Sequence, residues 1–335
     1  VALTHPTLLD NHGRPVNYLR LAVTDRCNLR CFYCMPEEGI QYLPKKALLT
    51  YEEMERTVRV MAGLGVNKVR ITGGEPFVRN GLLGFLRRLS QIPGIEALHL
   101  TTNGVLTAPH VAELKALGVR SVNLSLDTPD RDRFRHITRR DELPRVLDTL
   151  HALLGAGIEV KINMVVMEGK NTQDIGPMAE LTRHHPVSVR FIEEMPFNGE
   201  GARLEGFTWH YRRILDELET HYPGLYKLTD EPNATAYGYG VPGHAGTLGI
   251  IAAFSRSFCG TCNRIRLTAQ GVLKTCLYDD GVLDLRQLLR GGATDEALAD
   301  AFRGAFRHRA KDGFEAEARR NSHQPASESM STIGG

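Results

Sequence analysis

From about Tyr18 to Ile192 the chain alternates short β-branched runs with amphipathic stretches, and this rhythm limits the available folds more than any other feature. Six runs read as strands: residues 19–24, 68–72, 97–101, 121–126, 159–166 and 188–192. Several are apolar on successive residues, as expected of parallel strands covered on both faces. Helical signals lie between them. Thr50-Tyr51-Glu52-Glu53 has the form of a capping box, with Met54, Val58 and Met61 following on one helical face. Pro109 marks a helix start before Val111, Leu114 and Leu117, and Gly118 its stop. Pro144 opens another helix, carrying Val146, Leu150, Leu153 and Leu154 and closed by Gly155 and Gly157. Repeated strand–helix units with right-handed crossovers build a parallel sheet, open or curled. Six units are too few for the usual eight-stranded barrel. The expected fold is therefore α/β, an incomplete (βα)6-type parallel barrel with its chemistry at the C-terminal strand ends.

After Pro196 the pattern changes. Residues 197–203 form a polar, glycine-containing stretch, and 214–222 read as one more helix. Residues 237–246 are rich in Gly and Tyr, and 247–254 are strand-like. A glycine-rich stretch can cradle phosphate, but no helix follows this one at the required place, so it reads as turns in a small sheet. The expected organisation is a partial-barrel domain at 1–196, a C-terminal α+β region at 197–318 and a tail at 319–335. By composition alone that polar tail reads as disordered.

Bulk properties exclude more than they assign. Formal net charge is +2 over 335 residues, so nothing global points to nucleic acid or an anionic membrane. No apolar run is long enough to span a bilayer, and residues 1–10 lack the layout of a signal peptide. The chain reads as soluble and cytoplasmic. Histidines are scattered, and His99 alternates within a strand as a packed residue would. Residues 131–142 are dense in mixed charge and read as a solvated helix or loop.

The six cysteines fall into two groups of three, Cys27, Cys31 and Cys34, then Cys259, Cys262 and Cys276. A disulfide framework suits short secreted chains, and in a reducing compartment clustered thiols more often bind metal. The first group is Cys-x3-Cys-x2-Cys, just after a predicted strand. Structural zinc wants four ligands, and no fourth is close, because His5 and His12 precede that strand. Three thiolates on one loop suit a 4Fe–4S cluster with one iron left open to an exogenous chelate. The second group, Cys-x2-Cys-x13-Cys, also offers three ligands. It reads either as zinc completed by a histidine such as His244 or as a second 4Fe–4S cluster. Arg264 and Arg266 lie between its cysteines, on one side of the chain if the segment is extended. Two guanidiniums beside a cluster suit an anionic ligand, the alternative being a solvated basic face.

With Tyr33 just before its last cysteine, the first group resembles the signature of the radical S-adenosylmethionine (SAM) superfamily, and Gly73-Gly74-Glu75-Pro76 resembles that family's motif at the methionine end of SAM. Glycines let backbone approach a ligand, and Glu75 can accept from an ammonium group. More specific matches run along the chain. They are residues 24–36, 70–76, Thr101-Thr102-Asn103-Gly104, Arg190-Phe191-Ile192-Glu193, 258–264 and Ile333-Gly334-Gly335. Together these resemble the GTP 3′,8-cyclase family of molybdenum-cofactor biosynthesis.

That resemblance implies two 4Fe–4S clusters on the six cysteines, and SAM contacts from Tyr33, Gly74, Ser125 and Met195. It implies GTP held by Arg20, Arg70, Thr101, Lys161, Arg264 and Arg266, with guanine on the open iron of the second cluster. A deoxyadenosyl radical would take hydrogen from C3′, and C3′ would attack C8. No side chain is implied as a classical catalyst, though a flexible Gly334-Gly335 tail would reach into the site. Expected partners are a flavodoxin-like or ferredoxin-like electron donor, the downstream cyclic pyranopterin monophosphate synthase and a second copy in a homodimer. The rival readings are a peptide-maturing radical SAM enzyme, opposed by the paired arginines and terminal glycines, and a zinc-stabilised nucleic-acid module, opposed by the near-neutral charge.

Overall fold

The computed structural model describes residues 8–197, 208–322 and 328–334. His5, Gly335 and most of the 197–203 stretch lie outside the described residues. Among the described residues twelve strands form one sheet. They are β1 (Tyr18–Ala22), β2 (Lys68–Thr72), β3 (Ala97–Thr102), β4 (Val119–Ser125), β5 (Glu159–Val166) and β6 (Val187–Glu193), followed by β7 (Tyr226–Lys227), β8 (Ala236–Gly240), β9 (Thr247–Ile251), β10 (Arg264–Leu267), β11 (Val272–Lys274) and β12 (Leu283–Asp284). The spatial order is β12-β11-β10-β1-β2-β3-β4-β5-β6-β9-β8-β7.

All six strands read from the sequence are present and pair in parallel, in chain order. The C-terminal region then adds a parallel strand at each edge, β10 beside β1 and β9 beside β6. Antiparallel strands continue outward from both, and the end strands β12 and β7 do not pair with each other. The barrel is thus incomplete, and the C-terminal third extends it rather than standing apart as a small sheet.

Helices cover the outer face. In Tyr51–Gly63 the capping box is formed, Glu53 N donating to Thr50 Oγ1 at 3.2 Å and Thr50 N to Glu53 Oε2 at 2.7 Å. Met54, Val58 and Met61 are buried, as their spacing predicts. Pro144 sits in the first turn of Leu143–Gly155, which buries Val146, Leu150 and Leu153 against the strands. The mixed-charge stretch becomes the helix Arg131–Thr138, capped by Asp130 and burying Phe134 and Ile137.

The strands themselves depart from expectation. Instead of two apolar faces they have one: Leu19, Leu21, Val69, Ile71, Leu98, Leu100, Val122, Leu124, Val160, Ile162, Val189 and Phe191 are buried on the helix side. Most of the alternate residues, among them Arg20, Arg70, His99, Thr101, Ser121, Asn123, Lys161, Asn163 and Arg190, are polar and lie on the other face. Each buried aliphatic contributes roughly 1.5–3 kcal/mol, enough in sum to carry a polar interior on the other face.

The tail also departs from its compositional reading. Within residues 328–334, Met330–Ile333 is a helical turn and Ser329, Ser331 and Ile333 are buried. Glu328 pairs with Lys274 at 2.9 Å and Arg320 at 3.0 Å, and Ile333 packs with Phe197, Tyr278, Ala310 and Ala316. A polar composition does not produce disorder when its charges have fixed partners.

Candidate active site in the partial barrel

The C-terminal ends of the strands carry the motifs. The Cys27–Cys34 loop follows β1, Gly73–Pro76 follows β2, Asn103 follows β3 and Asp127 follows β4. Gly74 N donates to Thr24 O and Glu75 N to Arg26 O, each at 2.8 Å, so the glycine turn lies against the stem of the cysteine loop. A Cβ on Gly74 would stand 2.2 Å from Arg26 O, which is why the position tolerates no side chain. The Glu75 carboxylate braces the protein itself. It is buried and accepts from Phe77 N (3.2 Å), Thr102 Oγ1 (2.9 Å) and Asn103 N (2.7 Å). Burial pushes its carboxyl up to about 7 against those hydrogen bonds.

The loop is fixed from several sides. Arg30 N donates to Thr138 O and Phe32 N to Ile137 O, tying it to the end of the 131–138 helix. Tyr33 donates its hydroxyl to Asp127 Oδ2 at 2.8 Å, so a contact from Tyr33 to SAM falls to its ring or backbone. Burial, with Glu75 nearby, pushes Cys27 up to about 12. Burial, with Asp127 nearby, raises Cys31, and burial pushes Cys34 to about 11 despite donors from Ser331, Ser329 and Met330. Three partly buried thiols in an acidic setting ionise when a cation offsets the cost, which is the donor chemistry of an iron–sulfur site.

The second group sits at the β10 edge. Cys259 lies in the turn Cys259–Thr261, Cys262 just before β10 and Cys276 just after β11. Asp279 Oδ2 accepts from Thr275 N, Thr275 Oγ1 and Cys276 N, shaping the turn around Cys276. Arg309 donates to Cys262 O at 2.9 Å and Cys262 Sγ at 3.4 Å, and Arg14 to Cys259 O at 3.0 Å. Burial raises the Cys262 thiol, but Arg264 and Arg309 outweigh it and hold the group at about 6. His244 is committed elsewhere, 2.7 Å from Thr182 Oγ1 and edge-on to Tyr222. Among the described residues no three His, Cys, Asp or Glu side chains converge as ligands of a single ion.

Between the two groups lies a basic lumen. Register places Arg266 beside Arg20, Arg20 beside Arg70, Thr101 beside Asn123, Asn123 beside Lys161, and Asn163 beside Arg190. Five of the six residues expected to hold GTP therefore share one enclosed face, and Arg264 joins them from the start of β10. Arg70 donates to Tyr18 Oη (2.5 Å) and Leu100 O (2.9 Å), while Lys161 pairs with Glu159 at 2.7 Å. Burial, then the nearness of Arg266 and Arg70, depresses Arg20 well below its ordinary value. Burial, then Arg264, holds Arg266 at about 10, and burial, then Arg70, holds Arg190 at about 10. Cations that disfavour one another's charge make a site complementary to an anion. Several lumen atoms also lack a hydrogen-bond partner among the described residues: Thr101 Oγ1, Asn123 Oδ1, Asn163 Oδ1, Arg190 Nε and Arg264 Nη2.

Ser125 ends β4 at the mouth of this lumen. Met195 packs against the cluster of Phe197, Tyr278, Ala310, Ala316 and Ile333, the gap-filling role its residue type suggests. Gly334, at φ +87°, accepts from Arg266 Nη1 at 3.1 Å, and a Cβ there would stand 2.8 Å from both Ala22 Cβ and Thr72 Oγ1. The tail thus touches the lumen's cations.

Sequence reasoning missed Arg190 as a lumen residue, although Ser188-Val189-Arg190-Phe191 alternates in plain view. It also missed Arg14 and Arg309, whose contacts with Cys259 O and Cys262 O cross 245 and 47 residues and leave no local signal.

The chain matches the Radical SAM superfamily over residues 21–182 and the Molybdenum Cofactor Synthesis C family over residues 187–314. It is 46% identical to the GTP 3′,8-cyclase of Geobacter sulfurreducens, over 84% of this chain and 86% of that one. With the GTP 3′,8-cyclase of Syntrophomonas wolfei it shares 40% identity over 95% of this chain and 99% of the other. It is 39% identical to human molybdenum cofactor biosynthesis protein 1, covering 87% of this chain and 46% of that protein. In fold it is similar to Streptococcus suis SuiB, with a TM-score of 0.61 at 14% identity over 88% of this chain and 69% of that one.

Proposed function

The chain belongs to the radical SAM GTP 3′,8-cyclase family, and from that premise we propose how its residues divide the work of the first step of molybdenum-cofactor biosynthesis. The observation that carries the assignment is the enclosed row Arg266, Arg20 and Arg70, with Lys161 and Arg190 across the lumen, between two three-cysteine sites. Cys27, Cys31 and Cys34 would hold the cluster that binds SAM, with Gly74, Ser125, Met195 and the ring or backbone of Tyr33 around it. The chemistry this pair supplies when bound is one-electron cleavage of SAM to a 5′-deoxyadenosyl radical, for removal of the C3′ hydrogen of GTP.

The rest is positioning. A triphosphate of roughly −4 charge needs several fixed cations away from bulk water, and Arg20, Arg70, Lys161, Arg190, Arg264 and Arg266 supply them from rigid strands. Thr101 adds a hydroxyl at the same face. Cys259, Cys262 and Cys276 would hold a second 4Fe–4S cluster, whose open iron would accept a guanine donor atom. Holding ribose and base together brings C3′ to C8 and keeps the radical from other hydrogens. The product, 3′,8-cyclo-7,8-dihydro-GTP, would pass to the synthase that forms cyclic pyranopterin monophosphate. The electron would come from a flavodoxin-like or ferredoxin-like donor, and the chain would act as a homodimer.

The test uses anaerobically reconstituted protein with SAM, dithionite and GTP, measuring iron, acid-labile sulfide, 5′-deoxyadenosine and GTP together. About eight irons per chain, with deoxyadenosine formed in step with GTP loss, is the expected result. SAM cleavage with GTP untouched would overturn the substrate, and zinc without iron or sulfide would overturn both clusters.

A further inference from the structure

His99 is on the inner face of β3, in register with Arg70 on one side and Ser121 on the other. Arg20 and Arg266 continue the same row across β1 and β10. One level of the lumen therefore carries Arg266, Arg20, Arg70, His99 and Ser121 side by side. The imidazole is only 7% exposed. Its Nδ1 lies 2.7 Å from Ser121 Oγ, whereas Nε2 has no hydrogen-bond partner among the described residues.

The surrounding bonds are compatible with a proton on Nε2. Arg70 Nη2 donates to Ser121 Oγ at 3.5 Å, and a guanidinium can only donate. Ser121 Oγ has a second lone pair and can also accept from Nδ1–H; where its hydroxyl instead donates to His99 Nδ1, the ring's own proton is on Nε2, and this is the tautomer the inference takes. Burial, reinforced by Arg70, Lys161, Lys68 and Arg120, pushes the imidazole down to about 3, so it is neutral and carries one proton. A buried N–H without an acceptor is costly in a folded protein. In a wall of cations, the partner that such a donor fits is an anionic oxygen.

We propose that His99 is a further GTP-positioning residue, its Nε2–H donating to a triphosphate oxygen and its orientation set by the Arg70–Ser121–His99 relay. The proposal rests on the reading of this lumen as the GTP site. Its physical advantage is specific. Beyond burial, Arg266 and Arg70 already depress the charge of Arg20, so another cation at this position would add repulsion. A neutral donor adds a directional hydrogen bond without it.

The experiment measures binding of GTP and of inorganic tripolyphosphate to the reconstituted holoenzyme, by equilibrium titration, for wild type, His99→Leu, His99→Gln and Ser121→Ala. His99→Leu is expected to weaken both ligands roughly tenfold or more, the value of a hydrogen bond to a charged acceptor. His99→Gln retains an N–H and should stay within about threefold of wild type, with Ser121→Ala in between. In turnover the loss should appear in KM for GTP, with kcat nearly unchanged. A His99→Leu protein that binds both ligands like wild type would overturn the role of His99 alone. So would a loss that His99→Gln fails to rescue, which would mark the ring as scaffold. Wild-type protein binding neither ligand would overturn the GTP reading itself. A 15N spectrum of labelled histidine with the proton on Nδ1 would overturn the relay.

Discussion

The two three-cysteine sites use the same ligands and differ at one of them: burial raises Cys259, and with Asp279 nearby pushes Cys276 up to about 12, as in the first group, whereas Cys262 is held low. Around Cys27, Cys31 and Cys34 burial drives the thiols upward, and the carboxyls of Glu75 and Asp127 push the same way. Around Cys262 the guanidiniums of Arg264 and Arg309 outweigh burial and hold the thiol at about 6. The first site is framed by groups that brace its own loop: Glu75 ties it to the exit of β3, and Asp127 holds Tyr33. The second site opens onto the same positive field as the lumen. In the proposed function, the first site would hold its cofactor in place and the second would share its charge with the substrate.

The largest test of that division is to remove one ligand from each. Cys31→Ala should abolish 5′-deoxyadenosine formation, because the site that binds SAM is gone. Cys276→Ala should leave about four irons and measurable SAM cleavage while 3′,8-cyclised product disappears. Equal loss of SAM cleavage in both variants would erase the proposed difference between the sites.

Next in size are changes to the bracing. Arg309 and Asp10 form an ion pair at 3.2 Å with side chains 2% and 0% exposed, and Arg14 joins Asp10 at 2.7 Å. Asp10→Asn leaves buried guanidiniums without their counter-charge, a loss of about 3–5 kcal/mol by denaturant melting, with iron lost from the second site first. Burial raises the Asp10 carboxyl, but Arg14 and the backbone N–H groups more than reverse this, so its native value lies below the ordinary 3.8. Its stabilisation is therefore full above the ordinary carboxylate range and fades as pH falls through the lowered native value. The wild-type melting temperature should drop toward that of Asp10→Asn in acid. At the first site Gly74→Ala forces a methyl against Arg26 O and should cost about 1–3 kcal/mol, with iron lost from the first cluster instead.

These bracing residues also mark how far the sequence could be read. The strands were legible because β-branched runs alternate with helical patterns, and the cysteines because two three-ligand spacings rarely arise without chemistry. The polar inner face was visible too, in Ser121-Val122-Asn123-Leu124-Ser125 and Val160-Lys161-Ile162-Asn163, yet apolar neighbours hid the period. Asp10 and Arg309, 299 positions apart, meet only because β10 returns to β1. No local pattern encodes that meeting. The order of the tail was hidden for the same reason, since Glu328 finds Lys274 and Arg320 only in the folded chain.

Within the lumen the expected effects are smaller and fall on binding. Arg190→Leu removes a cation that faces Arg70 across the barrel and should raise KM for GTP roughly ten- to a hundredfold, with kcat changed less. SAM binding and iron content at both sites should hold. An equal loss of SAM affinity would show that the lumen and the first cysteine site are not separable.

The smallest effect belongs to the tail, and it needs a control because two costs coincide at Gly334. Its φ of +87° disfavours any L side chain by about 1–2 kcal/mol, and a methyl would also stand 2.8 Å from Ala22 Cβ and Thr72 Oγ1. Gly292 has nearly the same backbone, φ +81°, with nothing within 4 Å of an added Cβ. Gly292→Ala therefore carries the backbone cost alone. If the wedge between β1 and β2 places the tail on Arg266, Gly334→Ala should lower GTP turnover several-fold while Gly292→Ala leaves it unchanged. Iron content should be normal in both, because neither glycine braces a cysteine. Equal turnover in the two variants would mean that the contact with Arg266 survives without the wedge.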